Sequence, residues 1–288
     1  MATHRIDPGI SQMLAFTVIR ICMLAVLAFV GILVYYIVIN GIGHLSIEFL
    51  TSPPRQRMTA GGIFPAIVGT VMLISLSMAM ALPLGVLSAI YLNEYASENR
   101  RVWLINMAIN NLAGTPSIVF GLFGLALFVK YAGFGPSLLA ASLTLMLVVL
   151  PVIIRASEEA LISVPPGLRE GSLALGATRW QTVQKVVIPA AMPSIITGAI
   201  LSIGRVAGET APILLTGAAY FIPRTPDSVF DQFMALPYHL FVLSTAGTDI
   251  EQTRGIQYAT ALVLLLIVLG INLIAVVIRS RYRKKLMW

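Results

Sequence analysis

Charge is scarce in this chain. Only 11% of its 288 residues are Asp, Glu, Lys or Arg, about half the fraction of a soluble domain. With 58% hydrophobic residues and a mean hydropathy of +0.90, that excludes a soluble globular protein and leaves an integral membrane protein of one domain, residues 1–288. Cysteine is nearly absent: Cys22 stands alone in an apolar run, so no internal disulfide forms and the residue reads as packing. The three histidines, His4, His44 and His239, are scattered and build no metal site. The phosphate-cradling G-x-x-x-x-G-K-[ST] is missing, and no nucleophile–base pair is readable. The chain is therefore not an enzyme by itself and calls for no cofactor of its own; any ATP belongs to a partner. The first apolar run is too long for a signal-peptide core and reads as an uncleaved anchor. The net charge of +7 is no nucleic-acid footprint. Its excess sits in the C-terminal tail, where it suits cytoplasmic loops and anionic lipid headgroups.

What is present is a series of long apolar runs. A membrane span needs roughly 20 such residues, and six candidates emerge: Phe16–Ile39, Phe64–Tyr91, Val102–Val129, Pro136–Ile154, Ser194–Tyr220 and Ile256–Ile278. All are expected to be helices, since a spanning backbone must satisfy its own hydrogen bonds. The fold class is thus all-α, with a core over roughly 64–278. With the N-terminus inside, the inner segments hold thirteen Lys and Arg against five in the outer ones, with Arg205 left in a span. That bias puts both termini in the cytoplasm. The first and last runs are apolar nearly all round and suit the bundle periphery.

Two runs carry polar stripes. In the third, Asn106, Asn110, Gly114, Ser117, Gly121 and Gly124 recur at steps of three or four, and Gly114-Thr115-Pro116 is expected to kink or break the helix. Such a stripe serves close helix packing, a pathway lining, or both; Thr115 and Ser117 are its candidate pathway residues. In the fifth, Gly198, Ser202, Arg205, Glu209, Pro212 and Thr216 form one stripe on a single expected helix. Arg205 lies eleven residues from Ser194, about 16 Å into a core roughly 30 Å thick. An arginine there is costly unless paired or hydrated, and Glu209, one turn on, is its obvious partner. Two readings of the pair stand: a structural ion pair closing the bundle, or an anion relay in which Glu209 orients or gates Arg205. The two outer connections, Gly41–Ile63 and Phe221–Gly255, would face an external partner. The second is long enough to predict a short re-entrant or surface-lying helix around Ser228–Leu236.

The longest polar interruption is Arg155–Pro193. Pro165-Pro166 should end the helix leaving the membrane. Leu168–Leu175 is predicted as a short helix ending at Gly176, a left-handed cap. Thr178 opens a second helix with Gln181 as capping-box partner. Trp180, Val183 and Val187 are expected on one face, and Pro189 and Pro193 to end the unit. Two short capped helices suit a surface presented to a partner.

The spacing Glu170-Gly171-Ser172, three residues, Gly176, nine residues, then Val186, Ile188 and Pro189 resembles the loop motif of the membrane subunits of binding-protein-dependent ABC importers. That pattern runs Glu-Ala-Ala, three residues, Gly, nine residues, Ile-x-Leu-Pro. Gly-Ser replaces Ala-Ala here, and Val and Ile take the two aliphatic positions. In that family the loop docks into a groove on a separate ATPase subunit. Further segments, GGIFPAIVGT from Gly61, ALPLGVLSAIYLNEYA from Ala81, GTPSIVFGLFG from Gly114, GRVAGETAPILLTG from Gly204 and FMALPYHLF from Phe233, resemble the permease subunits of the phosphate-specific ABC importer, the shorter of its two more closely. The resemblance implies a type I ABC importer permease-like bundle in a bacterial plasma membrane. It also implies a second related permease, two ATPase subunits and an external phosphate-binding protein as partners, with phosphate as substrate. It carries the family's intramembrane arginine onto Arg205 and its acidic residue onto Glu209. An importer of another solute, with Arg205 merely structural, and an ion-coupled secondary carrier remain as alternatives. The capped loop speaks against the carrier, which needs no ATPase dock.

Overall fold

Apolar runs without internal polar gaps become long helices, and the breaks fall where the backbone loses its regular donors. In the computed structural model the described residues are 8–97, 99–246, 251 and 253–286. His4 and Arg5 lie outside them. Helix α1 is Pro8–Ile42. The short α2, Ile47–Thr51, is capped by Ser46, whose Oγ accepts from the Phe49 amide. Strands β1 (Pro54–Arg55) and β2 (Ala60–Gly61) form a two-residue antiparallel hairpin. Helix α3, Phe64–Ile90, passes through Pro83 and ends in a π turn, Tyr91–Tyr95. Helices α4 (Arg100–Ala113) and α5 (Ser117–Gly124) follow, the latter continued by a π segment to Tyr131. Then come α6 (Leu138–Ile162), α7 (Pro166–Ala174), α8 (Arg179–Thr182), a π turn at Val183–Val187, and α9 (Ile188–Gly208). Helices α10 (Ala211–Thr216), α11 (Leu236–Thr245) and α12 (Arg254–Leu286) complete the chain.

Among the described residues five continuous helical stretches are long and apolar enough to cross a membrane: Gln12–Ile42, Phe64–Tyr95, Leu138–Ile162, Arg179–Gly208 and Arg254–Tyr282. The sixth is the pair α4 and α5 with its π extension, bent by 104°. The break falls at Gly114-Thr115-Pro116, where proline removes a donor and disfavours a helical residue before it.

Two boundaries differ from the sequence reading. Pro189 and Pro193 do not end the loop unit. They lie inside a stretch that stays helical from Arg179 to Gly208. The π turn just before Pro189 widens the winding there, which accommodates a ring that would strike the carbonyl of a regular turn. The fifth span ends at Gly208 rather than Tyr220, because Glu209 adopts extended backbone, φ −72° and ψ 128°. The expected helix at Ser228–Leu236 is also displaced. The helix begins at Leu236, with Pro237 in its first turn, a position where a missing N–H costs nothing. Residues 228–231 instead form a turn, the Asp231 amide donating to the Ser228 carbonyl at 3.1 Å, and this turn seals the start of α6. The amides of Leu138 and Leu139 donate to the carbonyls of Asp231 and Val229, at 2.9 and 2.8 Å.

The core sits where α3, α6, α9, α5 and α10 meet. Leu73, Met78, Leu145, Val149, Ile153, Val206, Ile213 and Phe233 form its main apolar cluster. A second cluster under the α7–α8 loop joins Ile90, Ile109, Ile154, Leu161, Val183, Val187 and Ile195. Helix α1 is peripheral: its spanning window is 0% buried, and that of α12 11%. The two touch at Tyr36 and Tyr258, whose rings meet edge to face at 5.5 Å.

The extended segment Phe233–Leu236 lies directly on α3. The Leu236 amide donates to Thr70 Oγ1 at 2.8 Å, and a Cβ on Gly69 would land on the Met234 carbonyl oxygen. Gly69→Ala is therefore expected to destabilise the protein by about 1–3 kcal/mol through overpacking. Gly31→Ala, with nothing within 4 Å of the new methyl, is expected to stay within about 0.5 kcal/mol. Thermal unfolding of the two purified variants compares them, and equal melting points would refute the close approach at Gly69.

Candidate functional site

Two groups of residues carry the chemistry, at opposite ends of α9. The first is the loop. Helix α6 runs well past the apolar core, through Arg155, and stops at Ile162 before Pro165-Pro166. Helix α7 closes with both hydrogen bonds of a Schellman cap: Gly176 N donates to Leu173 O at 3.0 Å and Ala177 N to Ser172 O at 3.2 Å. Gly176 has φ +84°, with nothing within 4 Å of a would-be Cβ, so backbone conformation and not crowding requires glycine there. Thr178 and Gln181 form the full capping box that opens α8. Ser172 and Thr182 share a hydroxyl–hydroxyl hydrogen bond of 2.9 Å that ties the two short helices together.

This unit turns apolar side chains outward. No residue of α7 is buried; Leu168, Leu173 and Leu175 are exposed at 47%, 48% and 90%. Glu170 and Gly171 are exposed as well, Ser172 and Pro189 half-buried. Trp180 does not share the face of Val183 and Val187. Those two are buried in the cluster beneath the loop, while Trp180 is 56% exposed.

What holds the loop to the bundle was not visible in the sequence. Arg169 donates to Glu94 twice, from Nη2 to Oε1 at 2.8 Å and from Nε to Oε2 at 3.4 Å, and to the carbonyls of Val164 at 2.7 Å and Leu161 at 2.8 Å. Glu94 belongs to the π turn ending α3 and is only 9% exposed. The neighbouring Tyr95 ring lies 5.8 Å from the guanidinium carbon of Arg179 on α8. A second arginine, Arg155 on α6, donates to Asn110 Oδ1 (3.0 Å), Asn106 Oδ1 (3.1 Å) and the Asn106 carbonyl (2.9 Å) on α4, and pairs with Glu158. The Asn106/Asn110 stripe thus finds its partner on α6.

The second group is at the C-terminal end of α9. Arg205 sits in its last turn, where exposed helix carbonyls favour a cation. Its Nε lies 3.5 Å from Glu209 Oε1, and the side chains are 37% and 14% exposed. Gly198 and Ser202 precede Arg205 on the same helix at the expected spacing and are buried. Ser202 is fully buried and donates to the Gly198 carbonyl at 3.0 Å. Gly198 packs against Ala156 of α6. Pro212 and Thr216 belong to α10, beyond the break, with Thr216 donating to the Pro212 carbonyl at 2.9 Å. The expected single-helix stripe is therefore two faces of two helices, because an extended residue at 209 rotates everything after it. Thr115 donates to the Asn111 carbonyl at 2.9 Å and Ser117 begins α5. Among the described residues no hydrogen bond joins either to Arg205.

Relatives share this architecture. Residues 81–284 match the family model described as the binding-protein-dependent transport system inner membrane component. A probable ABC transporter permease protein, YqgI, from Bacillus subtilis is 37% identical over 96% of this chain and 98% of its own length. The phosphate transport system permease protein PstA 1 of Mycobacterium tuberculosis is 40% identical over 76% of this chain and 71% of its own. Among solved structures, a bacterial alginate ABC transporter superposes with a TM-score of 0.64 over 96% of this chain and 95% of that one at 14% identity. The MetNI methionine ABC transporter in an inward-facing conformation gives 0.57 over 77% and 94% at 22% identity. On the match over residues 81–284 and these identities, the chain belongs to the family of inner-membrane components of binding-protein-dependent transport systems.

Proposed function

We propose that this chain is the permease subunit of an ATP-driven importer for inorganic phosphate, forming half of the translocation pathway beside a second, related permease. The observation that carries this is the position of Arg205. It is a cation at a helix end, loosely paired with Glu209, on a face the chain itself leaves 37% exposed. A pathway lined by it therefore runs along the chain's surface, between two permeases, and not through one bundle. Phosphate near neutral pH carries between one and two negative charges, and a guanidinium stays ionised and offers a planar fork to two oxygens. The 3.5 Å contact with Glu209 is long for an ion pair, so an anion can compete for the arginine and also be released, as conduction requires. The phosphate permease among the relatives supports this solute. A permease for a different solute is the second reading, since the relative matched over 96% of the chain is named for none.

The loop of α7 and α8, with Glu170, Gly171, Ser172 and Gly176, and Pro189 at the start of α9, is the docking element for one of two separate ATPase subunits. An external phosphate-binding protein delivers the solute from the other side. ATP is bound and hydrolysed by the ATPases, and this chain contributes no catalysis of its own. The membrane is a bacterial plasma membrane, with both termini and the loop in the cytoplasm by the charge bias.

Three experiments test these assignments. With Cys22 replaced, a cysteine at Ala177 is expected to react with an impermeant thiol reagent only from the cytoplasmic side; labelling of intact cells from outside overturns the orientation.

Gly176→Val puts a branched residue at φ +84°, a penalty of about 1–2 kcal/mol, or roughly a 5–30-fold drop in the native turn. The complex is expected to assemble and to lose ATP-dependent uptake by a similar factor; normal uptake would remove the loop from the coupling role.

Arg205→Gln is expected to lower phosphate uptake by about tenfold or more with assembly intact, and Arg205→Lys to transport poorly for want of the fork. Glu209→Gln is expected to be milder. If the pair were only structural, Arg205→Gln would strand Glu209 and Arg205→Gln/Glu209→Gln would recover both yield and uptake. Recovered uptake in the double variant would sink the anion-contact role.

A further inference from the structure

We propose that Arg169 is the residue through which movement of α7 reaches the transmembrane core, with Glu94 as its receiver, so that this one guanidinium couples the loop to α3. The inference rests on the reading of α7–α8 as the ATPase-docking unit and adds the route by which the stroke leaves it.

The geometry points to Arg169 because, among the described residues, it is the α7 side chain that hydrogen-bonds the ends of α3 and α6, while Ser172 reaches only Thr182 of α8. Helix α7 has no buried residue, so no apolar side chain anchors it in the core. Arg169 instead binds two other elements at once, with four hydrogen bonds to three residues. Two go to the end of α6. In an uninterrupted helix the residue at 165 would donate its N–H to the Leu161 carbonyl, but Pro165 has no N–H. That carbonyl accepts instead from the Val164 amide at 3.2 Å and from Arg169 Nη2 at 2.8 Å, and Nη1 takes the Val164 carbonyl at 2.7 Å. The other two go to both oxygens of Glu94, at the end of α3. This bidentate pairing fixes orientation as well as distance, which a lysine could not do. Glu94 is 9% exposed and Arg169 22%, so water competes little for either.

The receiving end is built for the purpose. Glu94 sits on the π turn closing α3, Asn93 Nδ2 donates to its Oε1 at 2.7 Å, and the adjacent Tyr95 meets Arg179 of α8. The single π turn Tyr91–Tyr95 therefore takes one contact from each short helix. Helix α3 leads from there into the main core cluster through Met78, Ile74 and Leu73. A displacement of α7 pulls on α3 through Glu94 without needing any repacking of the apolar cluster below. A purely structural bolt would hold the loop in place, and its loss would cost assembly. A transmitting bolt changes how much uptake each hydrolysed ATP yields.

The test uses the whole complex purified from membranes with its co-purifying chains and reconstituted into liposomes. Phosphate uptake and ATP hydrolysis are measured per assembled complex for Arg169→Gln, Arg169→Lys, Glu94→Gln and Arg169→Gln/Glu94→Gln. In parallel, Ala177→Cys in a Cys22→Ala background is cross-linked to the ATPase with and without each substitution. The proposal expects ATP hydrolysis to persist and the cross-link to be retained, while uptake per ATP falls severalfold in each Gln variant. It expects the double variant to be no worse than the singles, since all three cut one link, and Arg169→Lys to lie between. Uptake per ATP unchanged in whatever complex is recovered, even at reduced yield, would overturn transmission and leave a structural bolt. No cross-link in the parent background would overturn the docking reading, and this proposal with it.

Discussion

In hydrocarbon a backbone carbonyl or amide that leaves a helix has only the protein to turn to. That constraint decides where this chain can be interrupted and what must stand beside each interruption. At the end of α6, two prolines withdraw donors and Arg169 supplies two in return. At the start of α6, the first amides find the carbonyls of Asp231 and Val229, on a segment some ninety residues later in the chain. At the end of α7 a left-handed glycine closes the carbonyls internally. At the end of α9 the break falls one turn after Arg205, whose charge suits the helix C-terminus, with Glu209 as the first extended residue. Each departure from helix is thus also a place where a polar side chain has a reason to be, and these places coincide with the residues that carry the proposed chemistry.

The consequence for packing is a division of labour among the helices. Helices α3, α6 and α9 hold the apolar core and run with little internal disturbance. The bent pair α4–α5 is tied to α6 by a polar clamp, Arg155 with Asn106 and Asn110, while α5 meets α10 backbone to backbone, Gly121 against Pro212. Many side chains of α4 and α5, among them Trp103, Leu112, Leu122 and Phe123, remain exposed on the isolated chain. An apolar surface of this kind asks to be covered by lipid or by protein.

Local chemistry was legible in the sequence to the extent that it was local. The Schellman glycine, the capping box and the break at Gly114-Thr115-Pro116 each depend on a handful of consecutive residues, and each is found at its expected place. Peripheral α1 was legible too, since a helix apolar all round has no face to bury. Pro189 and Pro193 were expected to stop a helix because nothing local announces the π turn before Pro189 or the continuation of the helix through Pro193. The stripe from Gly198 to Thr216 was drawn with a constant 3.6-residue period, which one extended residue at Glu209 invalidates. Trp180 was expected beside Val183 and Val187 and is exposed where they are buried. The contacts Arg169–Glu94 and Arg155–Asn106, 75 and 49 residues apart, were beyond reach. Periodicity reports which face of its own helix a residue occupies and says nothing about what lies opposite.

The unbroken run from Arg179 to Gly208 gives the molecule a property that neither end has alone. Thirty residues in one helical stretch make a rod about 45 Å long, with the capped loop at its foot and the arginine near its tip. A tilt of a tenth of a radian about the foot sweeps the tip sideways by roughly 4–5 Å over that length. That distance is comparable to the width of a hydrated anion's contact with a side chain. The prolines that were expected to divide this rod instead lie within it, and the helix runs on through both.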